Sequence, residues 1–284
     1  MKETINFGYL PEQYCDAEKA GIVIVPVAYD GTSTWMKGAD KGPAAICEAS
    51  ANMELYDIET DSEVYKKGIF TENPIGGEIS TRGMIEAVHE AVQYYIEKDK
   101  FTVVIGGEHS VSIGSIKAHA ERYPDLTVLQ LDAHADLRDE YNGSKYNHAC
   151  VMARAKELCP IVQVGIRSMD SSEKERMDES GVFFAERIRD RTDWIGKAVS
   201  KLSRNVYVTV DLDVLDPSIM PSTGTPEPGG LSWYDVLELL KAANKKKNVV
   251  GFDVVELCPD DRNKAPDFLA AKLIYKSLSY KFRG

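Results

Sequence analysis

The sequence predicts an α/β fold in which helices cover both faces of a mainly parallel sheet. Short, continuous apolar runs rich in β-branched residues recur along the 284-residue chain. Stretches with the helical spacing of apolar residues separate these runs, as is typical of parallel sheets buried on both faces. Because neither an internal repeat nor a low-complexity linker divides the chain, we expect residues 1–284 to form a single domain.

Each predicted element is supported by its own local pattern. Strands are predicted at residues 21–27, 101–105, 126–131, 161–165, 182–184, 206–210 and 249–255. Helices are predicted from residue 42, where a proline occupies the first turn, over 81–98, after a cap at Ser110, and over 147–158, 192–203, 231–244 and 264–281. Residues 57–80 are polar and predict a surface connection with one short strand.

Composition argues against several classes of protein. The formal net charge is −11, from 34 Lys and Arg against 45 Asp and Glu. The largest basic cluster is Lys245-Lys246-Lys247, which we expect at the carboxyl end of a helix, so no basic face for nucleic acid is predicted. The five cysteines include no Cys-x-x-Cys pair, which favours reduced core thiols over disulfides or a zinc ribbon.

The chain also lacks the sequence signals of a membrane protein. No apolar run approaches the roughly 20 residues of a spanning helix. Residues 1–6 lack the apolar core of a signal peptide. We therefore expect a cytoplasmic protein with no membrane partner.

Polar residues follow four of the predicted strands at the point where each strand ends. After the strand at 126–131, alternation places Asp132, His134 and Asp136 on the same side. The carboxyl ends of parallel strands lie along one edge of the sheet, where ligands bind. The residues expected to meet there are His109, Asp132, His134, Asp136, Asp211, Asp213 and Glu256.

Four aspartates in one small volume need a counter-charge. Without it they would repel one another and raise one another's pKa values, whereas two divalent cations would neutralise them. Oxygen-rich ligation with two imidazoles and no thiolate favours Mn²⁺ over Zn²⁺, with Fe²⁺, Co²⁺ and Ni²⁺ as alternatives. Two such ions would hold a water molecule between them and lower its pKa, so hydrolysis is the expected chemistry.

Three segments resemble the signature motifs of the ureohydrolases, the arginase and agmatinase family. They are Gly106-Gly107-Glu108-His109-Ser110, Asp132-Ala133-His134-Ala135-Asp136 and the segment 209–217, Thr-Val-Asp-Leu-Asp-Val-Leu-Asp-Pro. The resemblance continues through residues 31–33, 42–46, 224–231 and 254–256. It implies a three-layer α/β/α sandwich, two Mn²⁺ per chain, hydrolysis of a small cationic guanidinium substrate to urea and an amine, and a homo-oligomer, either a trimer or a hexamer.

The resemblance also implies a role for each site residue. One ion would be held by His109, Asp132, Asp136 and Asp211, and the other by His134, Asp132, Asp211 and Asp213, with Asp132 and Asp211 bridging. A metal-bridging hydroxide would attack the guanidinium carbon while Glu256 aligns the cation. Asp136 would then protonate the leaving nitrogen, and His148 would relay protons to bulk water.

The sequence indicates the guanidinium group of the substrate more clearly than the group at the other end, the tail. The loop at 137–147 lacks the Asn- and Ser/Thr-rich pattern that arginases use for an amino-acid head group, and it resembles agmatinases. We therefore expect hydrolysis of agmatine to putrescine and urea, a step of polyamine biosynthesis. Arg138 could pair with a substrate carboxylate, which keeps guanidinobutyrate as an alternative beside aminopropylagmatine and arginine.

Two other classes of protein remain as alternatives. A binding protein that kept the fold and lost catalysis would have no need of six metal ligands. A deacetylase-like hydrolase of the same fold would need one metal, and the presence of Asp136 and Asp213 argues against it. His89 and His119 lie on predicted helices away from the carboxylates, and both are expected at the surface.

Overall fold

A single nine-stranded sheet forms the middle of the protein. The structure, a computed structural model, describes residues 6–191 and 193–283. The strands are β1 Ile22–Ala28, β2 Ile69–Thr71, β3 Ile75–Gly76, β4 Phe101–Gly106, β5 Leu126–Leu131, β6 Ile161–Val164, β7 Val182–Phe183, β8 Asn205–Asp211 and β9 Asn248–Val255. Their order is β2-β1-β4-β9-β8-β5-β6-β7, with β3 paired to β1, and each of these pairings is parallel.

Helices cover both faces of this sheet, so the predicted three-layer α/β/α architecture is confirmed. They are α1 Gly42–Ser50, α2 Thr81–Glu97, α3 Ser112–Arg122, α4 Val151–Lys156, α5 Ala185–Ile188, α6 Asp193–Lys201, α7 Trp233–Lys246 and α8 Ala265–Lys281. A hydrophobic core lies on each face of the sheet, and alternate residues of a central strand point into different cores. Ile24 packs in the core covered by α1 and by α6 to α8, and Val25 packs in the core covered by α2 to α4. None of the described helices is both long and apolar enough to cross a membrane.

Several element boundaries differ from the predicted ones for local reasons. The cap after β4 is Glu108, whose carboxylate accepts the backbone N–H of Ser110, so Ser110 lies inside the turn that it was predicted to begin. The helix predicted from Asn147 starts as a 3₁₀ turn that Asn147 caps, and α4 follows it. The connection at 57–80 contains two short strands, β2 and β3. Residue 192 of the predicted helix, and residues 1–5 of the amino terminus, lie outside the described residues.

Other local predictions are confirmed. Lys245 and Lys246 lie in the last turn of α7, where their charge interacts favourably with the helix dipole. Cys47, Cys150 and Cys258 are buried free thiols.

The prediction that His119 lies at the surface is wrong. Its side chain is fully buried, with Nδ1 2.8 Å from the carbonyl oxygen of Ser115 and the ring centre 4.6 Å from that of Tyr207. Helix α3 can bring the ring onto the sheet because Gly251 has no side chain, and a Cβ there would lie 2.2 Å from Nε2. His89, by contrast, is partly exposed and pairs with Glu121 at 2.8 Å.

The buried His119 predicts a loss of stability in acid. Burial lowers the pKa of His119 from 6.5 to about 4. Between these pH values the unfolded chain binds more protons than the folded one, so the free energy of unfolding falls as the pH falls, by about 3 kcal/mol in total. We expect urea unfolding of His119→Gln to show a pH dependence between pH 7 and 4 that is weaker by this amount. His89→Gln is the matched control, and parallel curves for the wild type and His119→Gln would contradict the prediction.

Candidate metal centre

The central strands of the sheet bring the predicted residues together. Strands β4, β9, β8 and β5 are neighbours in that order. Their carboxyl ends and the segments that follow them therefore lie side by side. Asp211 is the last residue of β8, and the following segments carry His109, Glu256, Asp213 and the motif at 132–136. Residues separated by up to 147 positions in sequence are in direct contact, as in the hydrogen bond from His109 to Glu256.

His109 faces three carboxylates through one ring nitrogen. Its Nδ1 lies 2.9 Å from Asp136 Oδ2, 3.2 Å from Asp132 Oδ2 and 3.5 Å from Asp211 Oδ2. The atom is buried, yet among the described residues it has no partner in hydrogen-bond geometry. Buried polar atoms are rarely left without a partner. A cation between this nitrogen and the carboxylates would satisfy all of these atoms.

The other ring nitrogen of His109 determines its tautomer. Nε2 lies 2.9 Å from Thr209 Oγ1, and the Thr209 hydroxyl donates to Asp253 Oδ1 at 2.6 Å. Because the hydroxyl proton points to Asp253, Nε2 must donate its own proton to Thr209. Nδ1 then carries the lone pair that a metal ion would need.

His134 forms a second group of potential ligands with the same aspartate. Its Nδ1 lies 2.9 Å from Asp213 Oδ2 and 3.6 Å from Asp132 Oδ1. Two sets of residues have ligand atoms within 4.8 Å of one another: His109, Asp132 and Asp211, and Asp132, His134 and Asp213. Within the described residues only Asp132 belongs to both sets, with one oxygen near each imidazole. This geometry fits a carboxylate that bridges two ions, whereas a bridging role for Asp211 stays a prediction.

The charges in the cluster also fit bound cations. Burial and the charge of Asp132 raise the pKa of Asp136 to about 7. The pKa of Asp211 lies well above its usual value because of burial and the neighbouring Asp213 and Asp132. Burial acts to raise the pKa of Asp132 as well, but the neighbouring imidazoles of His109 and His134 bring it below its usual value. The cluster therefore holds more carboxylate charge than its own histidines can balance.

Buried residues behind the cluster hold it in position. Gln130 Nε2 donates to Asp132 Oδ2 at 2.7 Å, and Gln163 Nε2 donates to Gln130 Oε1 at 2.6 Å. Arg167 donates to the carbonyl oxygens of Asp213 at 2.7 Å and Glu227 at 2.6 Å, which ties two loops together.

Sequence reasoning missed these supporting residues, although a signal for some of them was present. Gln130, Thr209 and Asp253 are polar residues inside otherwise apolar strands. A buried polar side chain needs a hydrogen-bond partner. Gln130 and Thr209 each stand two positions before the aspartate that begins a ligand motif, so strand alternation places them on the same side as that aspartate.

A cavity of about 280 Å³ opens beside the cluster. Its lining includes His109, His134, Asp136, Asp211 and Asp213 from the cluster, together with Glu256, His148, Arg138, Tyr141 and Asp170. Glu256 Oε1 accepts the backbone N–H of His109 at 2.7 Å. Asp136 and Glu256 have positive φ angles of 52° and 69°. Such backbone strain in non-glycine residues costs on the order of 1 kcal/mol or more and is typical of functional sites.

Comparison with known proteins agrees with this geometry. A sequence model of the arginase family matches residues 20–279. An N(1)-aminopropylagmatine ureohydrolase of Synechocystis sp. is 36% identical, with 95% of this chain and 94% of that protein covered. An agmatinase of Pyrococcus horikoshii is 34% identical, with 92% of each chain covered. The crystal structure of the agmatine ureohydrolase of Thermoplasma volcanium superimposes with a TM-score of 0.88 at 31% identity, covering 100% of this chain and 95% of that one.

These matches extend over nearly the whole length of both the chain and its relatives. The resemblance to the ureohydrolases that the motifs indicated is confirmed. The chain belongs to the arginase family, whose members named above are ureohydrolases.

Proposed function

We propose that the protein is a manganese-dependent ureohydrolase that hydrolyses agmatine to putrescine and urea. The observation that supports this most is the pair of His–Asp sets that share Asp132 beside a cavity with Glu256 in its wall. Ligands that are mainly carboxylates, with two imidazoles and no thiolate, favour Mn²⁺.

Six residues provide the proposed ligands of two Mn²⁺ ions. His109, Asp132, Asp136 and Asp211 would hold one ion, and His134, Asp132, Asp211 and Asp213 the other. When bound, the two ions would lower the pKa of a water molecule and so supply the nucleophile for the guanidinium carbon. The orphaned Nδ1 of His109 and the excess of carboxylate charge both support this assignment.

The remaining site residues act on the substrate and on protons. Glu256 is held through Oε1 by the N–H of His109, so its carboxylate is preorganised to balance and align a guanidinium cation. Asp136 lines the cavity and would give the leaving nitrogen its proton. His148 lines the same cavity and is partly exposed, so it can exchange protons with bulk water.

The outer part of the cavity favours a cationic tail. Arg138, the side chain that could have received a substrate carboxylate, already lies 3.6 Å from Asp170 Oδ2 and stacks 4.7 Å from the ring centre of Tyr141. A carboxylate tail would compete with Asp170 for the guanidinium of Arg138, whereas an ammonium tail would be attracted by Asp170. This pairing supports agmatine over guanidinobutyrate and arginine.

N(1)-aminopropylagmatine is a second candidate substrate. The Synechocystis relative, at 36% identity, carries the name of that activity. The molecule has the same guanidinium group and a longer cationic tail, which also suits a cavity in which Arg138 is paired with Asp170.

Metal analysis and a substrate panel test the proposal together. We expect two Mn²⁺ per chain, and we expect kcat/KM for urea release to be highest with agmatine. A higher value with N(1)-aminopropylagmatine would select the second candidate. Preference for arginine or guanidinobutyrate would rule out both. Two bound Mn²⁺ without urea release from any of the four compounds would favour the binding-protein alternative.

Assembly and cellular location remain predictions from the resemblance and the sequence. A trimer or hexamer is expected, and light scattering of the manganese-loaded protein measures the mass directly. Cytoplasmic localisation can be measured by cell fractionation.

A further inference from the structure

A single threonine holds His148 in the wall of the cavity. Thr32 lies on the loop after β1, and its Oγ1 accepts the backbone N–H of His148 at 3.0 Å. The same oxygen lies 3.1 Å from Nδ1 of the His148 ring. Tyr141 packs edge-on against the ring, with the ring centres 6.0 Å apart. Because Nδ1 is engaged with Thr32, Nε2 is the ring nitrogen left to exchange protons with the cavity.

One oxygen of Thr32 contacts two atoms of the same residue. The backbone N–H of His148 donates to Oγ1, and the ring nitrogen Nδ1 lies within hydrogen-bond distance of that oxygen. A hydroxyl has two acceptor lone pairs and one donor proton, so Thr32 can make both hydrogen bonds at once. The main chain and the ring of His148 are therefore held by the same side chain.

These two contacts fix the orientation of the imidazole. Nδ1 is held at Thr32 and Tyr141 packs edge-on against the ring, so Nε2 is the ring nitrogen available to the cavity. A hydrogen bond at one ring nitrogen also determines which tautomer a neutral histidine adopts. Removal of the Thr32 hydroxyl would therefore free both the rotation and the tautomer of the ring.

We propose that Thr32 is a positioning residue for His148. It fixes the orientation of the ring and holds the ring in a single tautomer, so that Nε2 can exchange protons between the cavity and bulk water. The role of His148 in this inference rests on the proposed function. Without the hydroxyl, the ring loses its fixed partner at Nδ1 and can rotate and change tautomer.

Nitrogen NMR tests the tautomer independently of any activity. The protein is labelled with ¹⁵N-histidine and loaded with Zn²⁺, a diamagnetic ion that accepts nitrogen and oxygen ligands. Only five histidines contribute signals, and His148→Gln identifies those of His148. We expect one tautomer of His148 in the wild type, the same tautomer in Thr32→Ser, and a mixture of tautomers in Thr32→Val. A mixture in the wild type, or an unchanged His148 in Thr32→Val, would overturn the proposal.

Steady-state kinetics of the manganese-loaded enzyme test its consequence. Thr32→Val should lower kcat for urea release about tenfold and change KM less than twofold, because proton transfer and not substrate binding is impaired. Thr32→Ser, which keeps the hydroxyl, should restore kcat to within about twofold of the wild type. Thr32→Ala replaces the valine variant if that variant does not fold. An unchanged kcat in the folded variant would overturn the inference.

The two experiments separate the inference from the proposed function. A wild type that releases no urea contradicts the proposed function, and the NMR result still decides whether Thr32 fixes the tautomer. An active enzyme whose His148 tautomer does not respond to Thr32→Val contradicts the inference alone.

Discussion

Asp132→Asn is expected to reduce urea release by about 1000-fold or more, equivalent to about 4 kcal/mol of transition-state stabilisation. Asp132 is fully buried, and it is the residue common to both His–Asp sets. Asparagine keeps the shape of the side chain but offers one neutral oxygen in place of two charged ones. In the proposed site both ions would lose a ligand in a single substitution, so the loss should exceed that from any carboxylate that belongs to one set.

Metal content and thermal unfolding show whether this loss comes from the metal site. The wild type should be stabilised by Mn²⁺, because a ligand that binds only the folded state raises Tm, whereas Asp132→Asn should bind less Mn²⁺ and show a smaller rise. Asp261→Asn is the matched control, because that aspartate is fully exposed. Full activity in Asp132→Asn, or a normal content of two Mn²⁺ per chain, would contradict the prediction.

Glu256→Gln is expected to lower kcat/KM about 100-fold while two Mn²⁺ remain bound. Glutamine has the same size and can still accept the N–H of His109 that holds Oε1 at 2.7 Å. It lacks the negative charge that, in the proposed mechanism, would balance the guanidinium cation. The cation would then be both bound more weakly and aligned less well, so KM should rise and kcat should fall.

Measurement of kcat, KM and metal content in the same preparation distinguishes this effect from damage to the site. Glu238→Gln, an exposed carboxylate on α7, is the matched control. If manganese is lost in Glu256→Gln, the carboxylate supports the metal centre and not the substrate. Unchanged kinetics with agmatine would remove Glu256 from the proposed mechanism.

The sequence pattern was sufficient to predict the strands that position the site and the edge of the sheet where it lies. Apolar runs of strand length identified the central strands β4, β5, β8 and β9, and polar residues within four positions of each strand end indicated the functional edge. These predictions succeeded because strand alternation and strand ends are local properties, readable within about ten residues of sequence. The resemblance added roles that the geometry does not show, such as the bridging role of Asp211, which stays a prediction.

The side-chain partners could not be predicted in the same way. His119 has the local signals of an exposed helical residue, and only the packing of α3 against Gly251 buries it. Arg138 has the charge to receive a substrate carboxylate, and only the fold places Asp170 3.6 Å away from it.

The sequence by itself therefore determined the parallel sheet, the edge where ligands bind and the His and Asp residues gathered there. Tertiary structure decided which nitrogen of His109 is free for a metal, through Thr209 and Asp253, and which residue holds His148, through Thr32. The physical reason is distance along the chain: Thr32 and His148 are 116 residues apart, and the choice of such a partner depends on the packing of whole elements. A hydrogen bond of this kind produces no periodic pattern in the sequence around either residue.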